Sequence, residues 1–112
     1  LVKTALPQGH ELLALGVDLN ALNADGCNAL WLACYNGSHE LIERLIAAGV
    51  NIDQQNGNGA SALMYVSSNS KPDLVKLLLE KGANPKLKNF DDSTAFDLAA
   101  SLECLKLLRK AA

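Results

Sequence analysis

Two histidines, three cysteines and one adjacent pair of aspartates are the side chains from which a reacting or metal-binding centre of this chain would have to be built. Catalysis needs convergent groups, such as a nucleophile beside a base and an orienting acid, or three metal ligands around an open position. His39 stands beside Glu40 at the start of a predicted helix, where a solvent-exposed structural role accounts for it. His10 reads as a polar residue of an N-terminal cap. Asp91 and Asp92 are neighbours in a predicted hairpin, so their side chains point apart, and no further oxygen ligands follow at calcium-loop spacing. Cys27, Cys34 and Cys104 are odd in number and have no C-x-x-C spacing, which argues against a disulfide framework and against a zinc site. Cys27 falls beside a hairpin, where exposure would make it a site of oxidation or labelling. The Asn-Gly pairs lack the preceding strand and following helix of a phosphate loop and are read as turns. No catalytic, cofactor or metal site is expected, and the chain is not expected to be an enzyme.

Composition narrows the class further. A chain of 112 residues, 49% hydrophobic and 20% charged, has the length of a single domain. Its net charge of −2 gives no electrostatic reason to expect nucleic acid or an acidic membrane as partner. The longest apolar run, Ala29 to Cys34, is far too short to span a bilayer, and no basic flank with a long apolar core marks a secretory signal. Unpaired cysteines and the missing signal give a cytoplasmic expectation. Leu1 stands where a start methionine would, and Met64 is the sole methionine, so the chain is expected to be excised from a longer one.

The organising feature is a repeat. Asn23, Asn56 and Asn89 lie 33 residues apart, and the same step relates Ala29, Ala62 and Ala95, then Leu30, Leu63 and Phe96, then Gly16, Gly49 and Gly82. A period of that size means stacked small units. Asn28, Ser61 and Thr94 recur at the same step, each a good N-cap for a first helix. That helix, Ala29 to about Tyr35 in the first copy, is apolar nearly all round and is expected to be buried. Asn36-Gly37 then signals a turn into a second helix, about His39 to Ala48, with Leu41, Ile42, Leu45 and Ile46 on one stripe. The next copy repeats the stripe with Leu74, Val75, Leu78 and Leu79, starting at Pro72 and broadened by Leu77. A polar stretch with Asn-Gly pairs follows, the chemistry of a tight hairpin. The reading is one domain over 1–112, with a partial N-terminal cap (1–22), repeats at 23–55 and 56–88, and a C-terminal capping repeat (89–112). In the last copy three residues are missing before Ser101, which can cap the second helix directly, and Arg109 stands where the inner copies carry Ile46 and Leu79.

The segments DGCNALWLAC with GSHELIERLIAAGVN, NGASALMYVS with SKPDLVKLLLEKGAN, and DDSTAFDLAA with SLECLKLLRK resemble the ankyrin repeat, over about residues 10–112. The resemblance implies an all-α solenoid of stacked helix-turn-helix units with projecting β-hairpin loops. It also implies that Cys34 fills a small, buried position. The family's proline is here Ala29, Ala62 and Ala95, and its histidine is Trp31, Met64 and Asp97. In the family that histidine and the preceding threonine share a hydrogen-bond network that ties each unit to the next hairpin. Its loss points to apolar packing as the main tie and to a modest stability of about 5 kcal/mol.

A concave, protein-binding surface made of hairpin tips and first helices is what the resemblance implies for function. Mapped residue by residue, the candidates are Asp25, Cys27, Tyr35 and Asn36 from the first repeat, then Gln55, Asn58, Ser68 and Asn69, then Lys88, Phe90 and Asp91, with Ala24, Gly57, Ala60 and Ser93 alongside. Tyr35 and Phe90 stand out because aromatic anchors dominate binding energy. Trp31 is read as core packing ahead of interface. Lys71, Lys76, Lys81, Lys86 and Lys88 read as a solvated face, with Lys86 and Lys88 the better positions for docking an acidic partner. The expected partner is another protein bound by a monomer. The alternative is a structural spacer or self-association module within a larger chain.

Overall fold

Each repeat is opened by a capped helix. The structure, a computed structural model, describes residues 21–111, so the partial N-terminal cap with His10 and Gly16 lies almost wholly outside the described residues. Six helices follow in order: α1 (Ala29–Asn36), α2 (His39–Ala47), α3 (Ala62–Ser68), α4 (Pro72–Glu80), α5 (Ala95–Leu98) and α6 (Leu102–Ala111). The Asn28, Ser61 and Thr94 side-chain oxygens accept the backbone N–H of Trp31, Met64 and Asp97, each at 3.3 Å. This satisfies one of the donors that every helix start leaves open. Thr94 closes a full capping box, since its own N–H donates to the Asp97 carboxylate at 2.9 Å. Ser38 and Ser101 cap α2 and α6 through the N–H groups of Leu41 and Cys104, and Pro72 opens α4.

The helices form two layers. α3 packs between α1 and α5 in an inner layer, α4 packs against α6 in an outer one, and each inner helix packs against the outer helix that follows it. Leu41, Ile42 and Leu45 of α2, Leu74, Val75 and Leu78 of α4, and Cys104 and Leu108 of α6 are buried against Leu30, Ala33, Leu63, Val66 and Ala95 of the inner layer. Ile46 and Leu79 are only partly buried, which places their position at the margin of the core and explains why Arg109 is tolerated there. The expectation that the first helix is buried on nearly all sides needs correction. Leu32 and Phe96 are at the solvent-exposed end of the range, because the inner layer is covered on its outer side only.

The loops between repeats form tight turns, with no strand among the described residues. Asn23, Asn56 and Asn89 build them alike. Each donates its N–H to the carbonyl four residues on (Cys27, Ala60, Ser93), and each side-chain oxygen accepts two further loop N–H groups at 2.9–3.0 Å. Successive loops then stack: Gly57 N–H donates to Asp25 O at 2.9 Å and Phe90 N–H to Asn58 O at 3.0 Å. Only one such bond joins each pair, too few for a ladder. Gly26 and Gly59 take φ of 83° and 77°, and a Cβ on Gly59 would lie 2.7 Å from the Phe90 ring and 2.9 Å from its backbone nitrogen. Glycine is required there by both torsion and contact.

The last repeat is shortened. α5 ends at Leu98, Ala99 turns extended, and Ala100 N–H donates to Ser67 O of α3 at 3.1 Å. Removal of three residues takes away the turn that joins inner to outer helix elsewhere, so the chain must leave α5 early to reach the cap at Ser101.

Candidate functional site

The inner helices and the loop tips share one side of the stack, and every aromatic residue of the chain is found there. Trp31 and Tyr35 lie on α1, Tyr65 on α3, Phe96 on α5 and Phe90 on the third loop. Trp31 and Tyr65 have ring centroids 5.2 Å apart, and Tyr65 and Tyr35 6.3 Å, both tilted, so the three form a row across the first two repeats. Tyr35 is 69% exposed and Phe90 79%. Trp31 is half-buried at the inner end of the row. Tyr65 was not among the residues singled out from sequence. Its repeat position is that of Leu32, which reads as core in a helix apolar all round, yet it is only half-buried, with one side packed on the core and its ring between Trp31 and Tyr35.

Trp31 also restores a tie that its replacement of histidine was expected to abolish. Its indole N–H donates to Gln54 O at 3.4 Å, and Asn28 Nδ2 donates to Asn51 O at 2.9 Å, so α1 is bonded to the segment leading into the next loop. Beyond it, Asn84 N–H donates to the Asp53 carboxylate at 2.8 Å, and Gln55 Nε2 donates to Gly59 O at 2.7 Å and Lys88 O at 2.9 Å. Polar bonds from other donors therefore supplement the apolar packing between repeats.

The sequence-derived candidates fall into two groups. Asp25, Tyr35, Asn36, Asn58, Phe90 and Asp91 are exposed on the loops and on the end of α1. Gln55, Ser68 and Asn69 are committed to local bonds: Gln55 to the two loops above, and Ser68 Oγ and Asn69 Nδ2 to Tyr65 O at 3.0 and 2.8 Å. Lys88 pairs with Asp92 at 3.5 Å, which draws its charge towards a neighbouring carboxylate. Cys27 is half-buried in a groove of about 500 Å³ between the first two loops, lined also by Asp25, Trp31, Asn56 and Asn58.

Neither Cys27 nor Cys34 is activated. Burial raises the Cys27 thiol, an Asn56 hydrogen bond lowers it and the Asp25 charge raises it again. Burial pushes Cys34 up to about 12, so it stays protonated and inert in the core. Burial, and then the neighbouring Tyr35 and Cys34, raise the Tyr65 hydroxyl. His39 is exposed at the head of α2, on the outer layer. Among the described residues no three His, Cys, Asp or Glu side chains come together as metal ligands, and no helix is long and apolar enough to cross a membrane. Every buried side-chain polar atom among the described residues has a hydrogen-bond partner.

Two-helix repeats in two layers, joined by loops that stack by backbone bonds, define a repeat solenoid. The profile of the family described as ankyrin repeats (3 copies) matches residues 3–89 and 39–112, and the chain belongs to that family. Among solved structures it is similar to the ankyrin repeat domain of Bcl-3, described as a unique member of the IkappaB protein family. The TM-score is 0.84 and the identity 32%, over 89% of this chain and 44% of that one. This chain thus spans less than half of the Bcl-3 domain. No curated relative matches the chain. Ankyrin repeats are generally protein–protein interaction modules.

Proposed function

We propose that this chain is a non-enzymatic binding module that takes a protein partner on its inner side, across the loop tips, α1 and α3. One observation carries the reading: all five aromatic residues lie on that side, none lies on α2, α4 or α6, and Tyr35 and Phe90 are largely exposed. Exposed aromatics lower the solubility of a free surface, and they are the side chains that supply most binding energy at interfaces. Three free thiols support a reducing, cytoplasmic setting. Tyr35→Ala and Phe90→Ala are each expected to weaken partner binding by about 1–3 kcal/mol with circular dichroism and melting unchanged. Isothermal titration with the native partner tests this, and normal affinity in both variants would remove the inner side as the binding surface.

A further inference from the structure

The inner side carries its charge unevenly. Along α1, α3, α5 and the loops at 22–27, 55–60 and 88–93, the charged residues are Asp25, Lys88, Asp91, Asp92 and Asp97, and the one cation is already paired with Asp92. Two places join an aromatic ring to a carboxylate. Asp25 and Trp31 line the same groove between the first two loops, and Asp91 follows the exposed Phe90 on the third. A ring face beside a carboxylate suits a guanidinium, whose cation is drawn to the π-system while its planar fork bonds both oxygens. An ammonium is also drawn to a ring face but lacks the planar fork that bonds both carboxylate oxygens.

The groove lies between the first two loops, and the Phe90 ring lies over Gly59 of the second, so the two places are about one repeat apart. Packed helices are spaced by about 8–10 Å, so the separation is about 10–13 Å, and an extended chain advancing about 3.3 Å per residue spans it in about four residues. The geometry points to a partner segment that is extended and basic, with two arginines about four residues apart, one entering the Asp25–Trp31 groove and the other stacking on Phe90 beside Asp91. This rests on the inner side being the binding surface, as argued above, and it goes against the lysine-rich second repeat as a dock for an acidic partner. Lys88 is paired, Lys71, Lys76 and Lys81 lie in or beside the outer helix α4, and Lys86 is left as a single exposed cation before the third loop.

Fluorescence anisotropy with the whole chain tests it, using three labelled synthetic peptides of serine, alanine and leucine. One carries two arginines about four residues apart, an isomer has the arginines adjacent, and a third has glutamates in their place. The spaced peptide is expected to bind about tenfold or more above the glutamate peptide and several-fold above its isomer. Asp25→Lys with Asp91→Lys should reduce its affinity about tenfold, whereas Glu43→Lys with Glu80→Lys, an equal change of net charge on the outer helices, should change it less than about twofold. Equal affinity for the two isomers, equal losses from the two charge reversals, or no binding by the spaced peptide would overturn the proposal. A preference for the glutamate peptide that disappears with Tyr35→Ala would overturn the arginine proposal and leave the inner-side reading standing. Binding that no inner-side substitution alters would overturn both.

Discussion

The outer and inner sides of this stack are made from the same repeat and have opposite surface chemistry. α2, α4 and α6 carry five acidic and five basic residues, interspersed and including the Glu40–Arg44 pair at 2.8 Å, and no aromatic. Their exposed faces are those of helices that only have to be soluble. Among the described residues the inner side has all five aromatics of the chain and four carboxylates against one paired lysine. Folding alone accounts for the outer pattern and leaves the inner one unexplained. The stripe that holds the layers together, Leu41 to Leu108, comes from the outer helices, so the inner layer's free side can vary while the core stays fixed.

The contrast can be broken most strongly from within. Leu78→Ala on α4 removes a fully buried side chain that packs against the inner layer and is expected to destabilise by about 2–5 kcal/mol, enough to leave much of a small repeat domain unfolded. Lys76→Ala, on the exposed face of the same helix, should fall within about 0.5 kcal/mol of the parent. Urea titrations of the two variants check the pair. Comparable losses would mean that α4 has no division between a structural and a solvated face.

A smaller effect separates the loop contacts from backbone torsion. Gly59→Ala would push a Cβ into Phe90 and weaken the Phe90 N–H to Asn58 O bond as well as strain a φ of 77°, for a loss of about 2–3 kcal/mol. Gly82→Ala meets open space at φ 98°, so only the torsional part remains, about 1–2 kcal/mol. Thermal melts should rank Gly59→Ala below Gly82→Ala. The reverse order would show that loop stacking adds nothing to the inner side.

How much of this was legible in the sequence depends on whether a feature repeats within the chain or arises between units. The 33-residue step, the caps at Asn28, Ser61 and Thr94, Pro72 at the head of α4 and the cap at Ser101 are local, and each is found where its residue type puts it. Asn23, Asn56 and Asn89 served to measure the step, but their role in folding the loops needed side-chain geometry. The Trp31 to Gln54 bond could not be read either, because tryptophan for histidine looks like a lost donor until the carbonyl is placed. Tyr65 was missed for the same reason in reverse: its neighbours are apolar, and only the one-sided cover of the inner layer leaves it half-buried in the aromatic row. Tyr35 and Phe90 could be singled out because they fall at repeat positions that the core does not use.

The smallest expected effect lies at the turn from inner to outer helix, where the first two repeats differ by one residue. Gly37 has φ 72° and a Cβ there would meet nothing, while Ser70, one repeat later, is held at φ 55° with the same hydrogen bond to the carbonyl three residues back. A non-glycine residue in the left-handed region costs about 1–2 kcal/mol, and glycine gives back about 0.5–1 kcal/mol through the freedom it adds to the unfolded chain. Ser70→Gly should therefore stabilise by about 0.5 kcal/mol, or about 2–3 °C in Tm, and Gly37→Ser should lower Tm by a similar amount. Because neither side chain reaches the aromatic row, both variants should bind the partner as the parent does. A drop in Tm for Ser70→Gly would show that the serine makes a contact worth more than its strain. A change in affinity would show that the turn sets the position of α3 and Tyr65, and the two sides of the stack would then not be separable.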